Sequence, residues 1–391
     1  MRTLICDLNV YDNGHHIAYV NSIITFSSDR DDVVFLFNRK AADWCRGLEE
    51  DKRVFFVEEE LLGKDQKNVF LGKWREYRYI RQFAIQQAVG KVIFLEIDQY
   101  QVAIGLHSAP FRVTGLYFRS FHQIGLKEDS LRESLKNAVY YLKKRLLFQA
   151  LRLNRKVEPL FLLNDRSGGV RYPRYFNYLP DPVFLGPAPT GAAYDGKRSG
   201  AASPGLRASF GIPPSAHVFL VFGAMGARKN IQHIVHAYRQ AELEGPSVLL
   251  VAGKVRADYR EEFDGAVNGF LRENKDTAKK LIAIDEFIDD DQVDLYFRGA
   301  DTIVLCYRKF YGSSGLMGKA AEHDKTCIVP DKGLLYDLCR EYSLGYAADP
   351  LNIRSLSAAL SLAEKNPLGG DGHDQFVHDH SENAFLETLL R

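Results

Sequence analysis

The stretch HVFLVFGAMGARKNIQHIVHAYRQAELEGPSVLLVAGK, residues 217–254, decides the fold that we expect for this chain. Its first part, His217–Phe222, is an almost uninterrupted apolar run, which is typical of a buried strand. A loop rich in glycine and alanine follows, and the pattern after it predicts a helix through Ala241. Ser247–Ala252 is a second apolar run that ends at a glycine. Strand, helix and strand in this order predict a parallel βαβ unit, because parallel neighbours need a crossover connection.

Short apolar runs alternate with helical patterns on both sides of this stretch. Leu4–Leu8, Asp32–Phe37 and Lys91–Leu95 are predicted strands before it, and Asp301–Cys306 and Thr326–Val329 are predicted strands after it. Regular alternation of this kind predicts an α/β chain with parallel sheets.

A change of composition divides the chain into two halves. Residues 186–211 are rich in Gly, Ala, Pro and Ser, which is typical of a linker or an exposed loop. We therefore expect an N-terminal domain over 1–190, a linker over 191–211 and a C-terminal domain over 212–379. A helix over 380–391 would be able to pack back on the N-terminal domain.

The bulk composition excludes some classes of function. The 391 residues include 51 Lys and Arg and 50 Asp and Glu, so the net charge of +1 gives no reason to expect nucleic acid as a partner. The beginning, MRTLICDLNV, lacks the pattern of a signal peptide, and no apolar stretch reaches the ~18 residues of a membrane span. We expect a cytoplasmic protein with reduced cysteines.

Two segments of the C-terminal half carry a resemblance to a known family. FGAMGARKNIQHIVHAYRQA resembles the segment of glycosyltransferase family 4 that runs strand, glycine loop, basic residue and helix. DQVDLYFRGADTIVLCYRKFYGSSGLMGKAAEHDKTCIV is similar to the donor-site stretch of that family, and Asp331–Leu335 is similar to a loop that closes the same site. The resemblance covers about residues 215–365 well and the N-terminal half more loosely, through Gly14–His16 and Leu179–Val183.

The resemblance implies a GT-B fold, with two Rossmann-like parallel-sheet domains that face a central cleft. It implies a glycosyltransferase that moves a sugar from a nucleotide diphosphate sugar to an acceptor hydroxyl, with retention, in glycan or glycoconjugate biosynthesis. The partners would be the NDP-sugar donor and a sugar or lipid-linked sugar acceptor. The resemblance implies no metal and no other cofactor.

One group of expected donor-binding residues opens a helix. Ser313, Ser314, Gly315 and Leu316 lie between a predicted strand and a predicted helix. Glycine lets the backbone approach a phosphate closely, and free N–H groups at a helix N-terminus point towards it. The serine hydroxyls can donate to phosphate oxygens. The alternative is an ordinary serine N-cap in a tight turn.

Arg228 and Lys229, after the first glycine loop, are the expected cations of the donor site. They would neutralise the charge that grows on the diphosphate as the sugar leaves, and Lys229 is a candidate catalytic residue. A helix start is an unfavourable place for cations, and such local conflicts are expected at functional sites. The alternative is a solvated basic pair.

The sequence departs from the family at one motif. Members often carry two glutamates spaced E-x7-E, and the aligned positions here are Gly312 and Ala320. Members with an SSG loop in place of the first glutamate resemble this chain. Glu322 is a candidate ribose ligand, although two helical residues turn it about 200° away from position 320.

The candidates in the N-terminal half are histidines and one glycine. Gly14 and His15 would contact the donor, and His16 is a candidate catalytic residue, because all three follow the first predicted strand. His122, just past the strand that ends at Phe118, is the second candidate for a histidine near the reacting sugar, and His107 is its rival. The alternative for the Gly-His-His turn is an exposed surface turn.

Residues 130–156 form a basic helical segment with interleaved leucines, including LKKRLLFQALRLNRK. Such a helix can bind peripherally to the inner face of a membrane. The alternative is a core-facing helix with a solvated basic face.

Three further interpretations complete the sequence reading. A sugar-nucleotide epimerase of the same fold and an inactive sugar-nucleotide-binding protein are the alternative functions. Asp289–Asp291 precedes a helix and indicates an N-cap cluster rather than a metal site. The nucleobase is expected near Glu286–Ile288.

Overall fold

The computed structural model describes residues 2–10, 16–45, 47–59, 62, 69–118, 120–124, 131–184, 204–274, 278–310 and 312–391. The strands are β1 Thr3–Asp7, β2 Val33–Asn38, β3 Val54–Val57, β4 Lys91–Phe94, β5 Arg112–Gly115, β6 Leu160–Leu163, β7 Phe176–Leu179, β8 His217–Phe222, β9 Ser247–Ala252, β10 Lys279–Ile284, β11 Thr302–Val304, β12 Thr326–Pro330 and β13 Gly345–Ala348. The helices are α1 His16–Phe26, α2 Ala41–Trp44, α3 Val69–Gln86, α4 Gln101–Leu106, α5 Leu131–Arg152, α6 Arg166–Arg171, α7 Pro204–Ser209, α8 Ile231–Gln240, α9 Arg260–Glu273, α10 Asp290–Gly299, α11 Gly315–Glu322, α12 Leu334–Glu341, α13 Ile353–Lys365, α14 Asp371–Asp379 and α15 Glu382–Leu390. They form two compact units: unit 1 is Met1–Pro180 with Glu382–Arg391, and unit 2 is Asp181–Ser381.

Unit 1 contains a five-stranded parallel sheet in the order β3-β2-β1-β4-β5. The strands β1, β2 and β4 are buried along their whole length, as expected for a sheet covered on both faces. Strands β6 and β7 form a parallel pair, and bridges Val113↔Val157 and Leu116↔Phe161 connect this pair to β5. The parallel arrangement therefore extends from β3 to β7.

Helix α15 belongs to unit 1 although it follows all of unit 2 in the chain. The rings of Tyr19 on α1 and Phe385 on α15 stack with centroids 5.2 Å apart. The Ser22 hydroxyl donates a hydrogen bond of 2.7 Å to Glu382 Oε2. Phe385 and Leu389 are fully buried, so α15 fills a gap in the core of unit 1.

Unit 2 contains a six-stranded parallel sheet in the order β10-β9-β8-β11-β12-β13. Its two faces are covered by separate buried clusters, which contain Phe222 and Phe297 on one face and Phe219 and Tyr238 on the other. From β8 the connections run outwards to β9 and β10 in one direction and to β11, β12 and β13 in the other. Ligands of open α/β sheets bind at such a switch point, beyond the carboxyl ends of the strands.

The α/β class with two parallel sheets is confirmed. The structure differs from the sequence reading at the start of unit 2, where 204–209 form α7 instead of linker. Leu206 is buried against Gly299, and the Arg207 guanidinium lies 2.6 Å from Asp301 Oδ2. Tertiary contacts therefore order a segment whose small residues suggested a loop. Residues 191–203 of the predicted linker lie outside the described residues.

Two further findings concern sequence expectations. All five cysteines are free and buried. Within the described ranges, each helix is too short or too polar to cross a bilayer.

Candidate functional site

The candidate site of unit 2 lies at the switch point between β8 and β11. Gly223 follows β8 with φ +96°, a conformation that suits glycine. Gly253 follows β9, and a Cβ there would lie only 2.2 Å from the carbonyl oxygen of Gly223. Glycine is therefore required where the ends of the two strands approach each other.

Lys229 lies in a 3₁₀ turn, Ala227–Lys229, and its side chain folds back under the Gly223 loop. Its Nζ donates to the carbonyl of Phe222 and, over 3.2 Å, to the hydroxyl of Tyr307, and it lies 4.6 Å from the centre of the Tyr307 ring. The residue is 3% exposed. Among the described residues, no carboxylate forms an ion pair with this ammonium. A buried charge without a counter-charge is costly, and a bound anion would remove that cost.

Arg228 is exposed and rests on two aromatic rings that follow β11. Its guanidinium carbon lies 5.5 Å from the centre of the Tyr307 ring and 4.9 Å from that of Phe310. The carbonyl of Arg228 accepts a hydrogen bond of 2.9 Å from the Arg308 N–H. The loops after β8 and β11 are thus joined, and two cations lie at their junction.

Helix α11 places its N-terminus beside the same loop. A Cβ built at Gly223 would lie 3.5 Å from Lys229 Nζ and 4.0 Å from Leu316 Cδ1. Ser314 is the N-cap residue with extended backbone, φ −128° and ψ 112°, and its side chain makes no capping bond. In the described part of the chain, the N–H groups of Gly315 and Leu316 have no acceptor, and the space beside Gly315 Cα is open. Free N–H groups and the helix dipole favour an anion here.

Two residues that shape this site escaped the sequence analysis. Tyr307 contacts both Lys229 and Arg228. Asn230 adopts a left-handed conformation, φ 61°, and its Nδ2 donates to the carbonyl of Pro350 over 2.7 Å. Asparagine tolerates this conformation, which turns the chain from the 3₁₀ turn into α8. An asparagine directly after a basic pair was the available signal.

Glu322 lies at the other end of α11 from Ser314. Its Oε2 lies 2.9 Å from Lys319 Nζ, which is also 3.0 Å from Asp294 Oδ1. His323 Nε2 lies 3.1 Å from the same Asp294 oxygen. Hydrogen bonds from His323 and Lys319 hold the pKa of Asp294 well below its usual value. The structure thus gives Glu322 an ion-pair partner, and its role as a ribose ligand stays a prediction.

Asp294, Glu322 and His323 also have the spacing of metal ligands, since their ligand atoms lie within 4.8 Å of one another. The Lys319 ammonium already contacts both carboxylates. An ion-pair network therefore accounts for this group. Asp289 is the N-cap residue of α10, without a capping bond from its side chain.

The candidate histidines of unit 1 lie in different surroundings, and the structure describes only some of them. Gly14 and His15 lie outside the described residues, and His16 begins α1 with a side chain that is not described. His107 packs edge-on against Trp74, with ring centres 4.3 Å apart. His122 lies in the turn after β5.

Both ring nitrogens of His122 have hydrogen-bond partners. Nε2 lies 2.8 Å from Asp165 Oδ2, and Nδ1 contacts the hydroxyl of Ser120. The ring is 4% exposed and packs among Phe121 and Phe176. A neutral ring that donates to Asp165 and accepts from Ser120 satisfies every partner. The catalytic role of His122 stays a prediction, and the sequence analysis did not identify Asp165 as its hydrogen-bond partner.

The switch point of unit 1, between β1 and β4, holds a connected polar network. Asp7 Oδ1 accepts from the Asn9 N–H over 2.8 Å, and Lys73 Nζ donates to Asn9 Oδ1 over 3.0 Å and to Glu76 Oε2 over 2.9 Å. The Tyr100 hydroxyl donates to the same Glu76 oxygen over 2.8 Å. Burial and the Glu76 carboxylate raise the pKa of Tyr100 well above its usual value. At this switch point the Lys73 ammonium therefore faces the carboxylate of Glu76.

The chain matches no known family model and no curated protein sequence. It is similar to solved structures with the GT-B fold. A sucrose-phosphate synthase from Thermosynechococcus elongatus has 13% identity and a TM-score of 0.68, with 99% of this chain and 97% of that chain covered. An α,α-trehalose-phosphate synthase (UDP-forming) from Burkholderia xenovorans, in complex with glucose-6-phosphate, has 12% identity and a TM-score of 0.65, with 100% and 99% covered. Anabaena HepE in complex with UDP and glucose has 12% identity and a TM-score of 0.63, with 100% and 98% covered. At these identities the likeness establishes the GT-B fold.

Proposed function

We propose that this protein is a glycosyltransferase that binds a nucleoside diphosphate sugar at the switch point of unit 2. The observation that carries the proposal is the buried ammonium of Lys229, which has no carboxylate partner among the described residues and lies beside the open N-terminus of α11. A diphosphate matches both features, because it brings negative charge and acceptor oxygens. The structural neighbours support this choice of ligand, since one is a complex with UDP and glucose.

The geometry suits the departure of a diphosphate. When the bond between the sugar and the diphosphate breaks, negative charge grows on the phosphate oxygens. Lys229, Arg228 and the free N–H groups of Gly315 and Leu316 are placed to stabilise that charge more than the ground state. The acceptor hydroxyl adds to the sugar, and its proton is released to the diphosphate or to solvent. Cationic side chains and a helix N-terminus would perform this role without a metal.

The stereochemistry and the acceptor follow from the family resemblance. Family 4 implies retention of the anomeric configuration, with a sugar or lipid-linked sugar as acceptor. His16 and His122 are the proposed residues of unit 1 near the reacting sugar. Asp165 would act through His122 by fixing its ring. A product anomer determined by NMR would decide between retention and inversion.

The nucleobase is proposed to lie at the carboxyl end of β10. Phe287 follows this strand and is 66% exposed, which is unusual for a large aromatic side chain. An exposed ring can stack on any base. Phe287→Ala should therefore weaken the binding of nucleotides with different bases by similar factors. If the Phe287→Ala variant binds every nucleotide as tightly as the wild-type protein, Phe287 is not part of the donor site.

The donor site is tested by calorimetric titration of UDP, GDP, ADP and dTDP into the wild-type protein, Lys229→Ala and Lys365→Ala. Lys365 is the matched control because its ammonium is exposed at the end of α13 and pairs with Glu244. We expect one nucleotide to bind in the micromolar range and Lys229→Ala to weaken it about ten-fold or more, about 1.4 kcal/mol. If no nucleotide binds, or if both variants bind like wild type, the donor-site assignment is wrong.

A turnover assay separates the proposal from its alternatives. Incubation of the sugar nucleotide with an acceptor panel should give transfer that depends on the acceptor. Conversion of the donor alone into its epimer would indicate an epimerase. Binding without turnover across the panel would indicate a sugar-nucleotide-binding protein.

A further inference from the structure

Helix α5 of unit 1 has apolar residues on two opposite faces, and only one of these faces is covered. Lys144, Phe148 and Leu151 form the covered face and are buried. Phe148 packs against Phe121 and Phe176, and Lys144 Nζ lies 3.6 Å from the Asp98 carboxylate. These contacts fix the rotation of the helix about its axis.

The opposite face carries a continuous apolar stripe. Its members are 56–67% exposed, and they are Leu135, Val139, Leu142, Leu146 and Leu153. Leu135, Val139, Leu142 and Leu146 lie on α5, where at about 100° per residue they fall within an arc of about 60°. Leu153 lies in the turn directly after the helix. The helical part of the stripe is about 16 Å long at 1.5 Å per residue. Large aliphatic side chains that line up on the solvent side of a helix indicate an interaction surface.

Basic side chains border the stripe on both sides. By the same helical spacing, Arg132, Lys136 and Lys143 lie on one flank and Arg145 lies on the other. Helix α5 contains six basic residues and one acidic residue, Glu133, in a chain with a net charge of only +1. Four of these six basic residues border the exposed stripe, whereas Lys144 lies on the covered face and Arg152 contacts Val157 and Tyr175.

We propose that the exposed face of α5 docks on an anionic lipid bilayer, with the stripe in the headgroup region and the basic flanks on the lipid phosphates. Charge complementarity selects this occupant over a second copy of the chain. Two copies packed through this stripe would bring their basic flanks together, whereas anionic headgroups neutralise them. This surface is distinct from the donor site and does not depend on transfer activity.

The test is co-sedimentation of the full chain with vesicles of phosphatidylglycerol and phosphatidylcholine in equal parts, and with vesicles of phosphatidylcholine alone. We expect binding to the anionic vesicles only, and its loss at a salt concentration of about 0.5 M. The double variants L142E/L146E and K136E/K143E should each reduce the partition coefficient at least about tenfold. Their positions are exposed, so circular dichroism should be unchanged.

The matched control is L271E/L362E, which introduces two charges at exposed leucines of α9 and α13 in unit 2. It should bind vesicles like wild type. If the control and L142E/L146E reduce the partition coefficient equally, the proposal is wrong. The proposal is also wrong if the wild-type protein does not bind to anionic vesicles. A concentration-dependent dimer that L142E/L146E dissociates, measured by light scattering, would assign the stripe to a second copy instead. Nucleotide titration of L142E/L146E should match wild type, which separates this surface from the donor site.

Discussion

The two switch points of this molecule lie in parallel sheets with a similar strand order, but the positive charge at each of them is neutralised differently. In unit 1 the ends of β1 and β4 meet a network in which Lys73 faces Glu76 and Tyr100 donates to the same carboxylate. In unit 2 the ends of β8 and β11 meet Lys229, whose ammonium is buried and finds only neutral oxygen partners among the described residues. In unit 1 the cation has a counter-charge from the protein, whereas the Lys229 ammonium of unit 2 has none among the described residues.

This difference indicates where binding energy is stored. A self-compensated network contributes to stability and gains little from a ligand. An uncompensated cation reduces stability until an anion arrives, so part of the cost of its burial becomes affinity.

Glu76→Ala should destabilise unit 1 by about 2–3 kcal/mol, because it leaves the buried Tyr100 hydroxyl without an acceptor and the Lys73 ammonium without its counter-charge. The measurement is urea unfolding followed by tryptophan fluorescence. Both tryptophans of the chain, Trp44 and Trp74, lie in unit 1, so the signal reports on this unit. Glu387→Ala, which breaks an exposed pair with Arg391, should change stability by less than about 0.5 kcal/mol. Equal effects of the two variants would show that the network is not an integral part of unit 1.

Gly315→Pro should weaken nucleotide binding about tenfold, about 1.4 kcal/mol, without loss of helix α11. Proline is favoured at the first helical position, and the extended backbone of Ser314 is compatible with a following proline. The substitution removes one N–H group and little else. Gly315→Ala keeps that N–H and meets open space, so it should bind like wild type. Calorimetry that finds both variants equal to wild type would exclude the helix N-terminus from the site.

Lys229→Met should leave the thermal stability of the unliganded protein unchanged or raise it, by up to about 1 kcal/mol, while nucleotide raises the melting temperature less than in the wild-type protein. Methionine has a similar length and carries no charge to bury. Differential scanning calorimetry with and without nucleotide gives both quantities. A clear loss of stability would mean that the bonds to Phe222 and Tyr307 outweigh the burial of charge, and Lys229 would then be structural.

Mild acid should weaken unit 2 more than unit 1. Burial lowers the pKa of His217 and of His373, both in unit 2. The unfolded chain then takes up protons first, so stability falls as pH drops below the ordinary histidine pKa of about 6.5. Urea unfolding at neutral and mildly acidic pH should show a larger shift by far-ultraviolet circular dichroism than by tryptophan fluorescence. H217Q should reduce this difference between the probes.

The parts of the site that are local in the chain could be predicted from the sequence. Gly315 and Lys229 each carry a short-range signal, and parallel strand ends meet at one sheet edge, so their approach to the Gly223 loop followed from topology. Tyr307 and Asp165 could not be predicted as partners. An aromatic residue after a strand and an N-cap aspartate are common, and only tertiary packing shows which side chains they contact.

The helix α7 and the ion pair of Glu322 show the same limit in another form. The small residues of 204–209 suggested a loop. The contacts that order this segment as a helix lie more than ninety residues away in the chain, at Gly299 and Asp301, so the local sequence could not indicate them. Helical spacing indicated that Glu322 turns away from position 320, and it could not supply Lys319 and Asp294 as neighbours. Propensity is a weak guide wherever distant contacts decide.

The return of α15 to unit 1 has a consequence for synthesis. Unit 2 is one continuous segment and can fold as soon as it leaves the ribosome, whereas the core of unit 1 waits for Phe385 and Leu389. Until then α1 exposes the ring face of Tyr19 that Phe385 will cover. The surface of unit 1 that α15 covers therefore stays incomplete while the whole of unit 2 is translated.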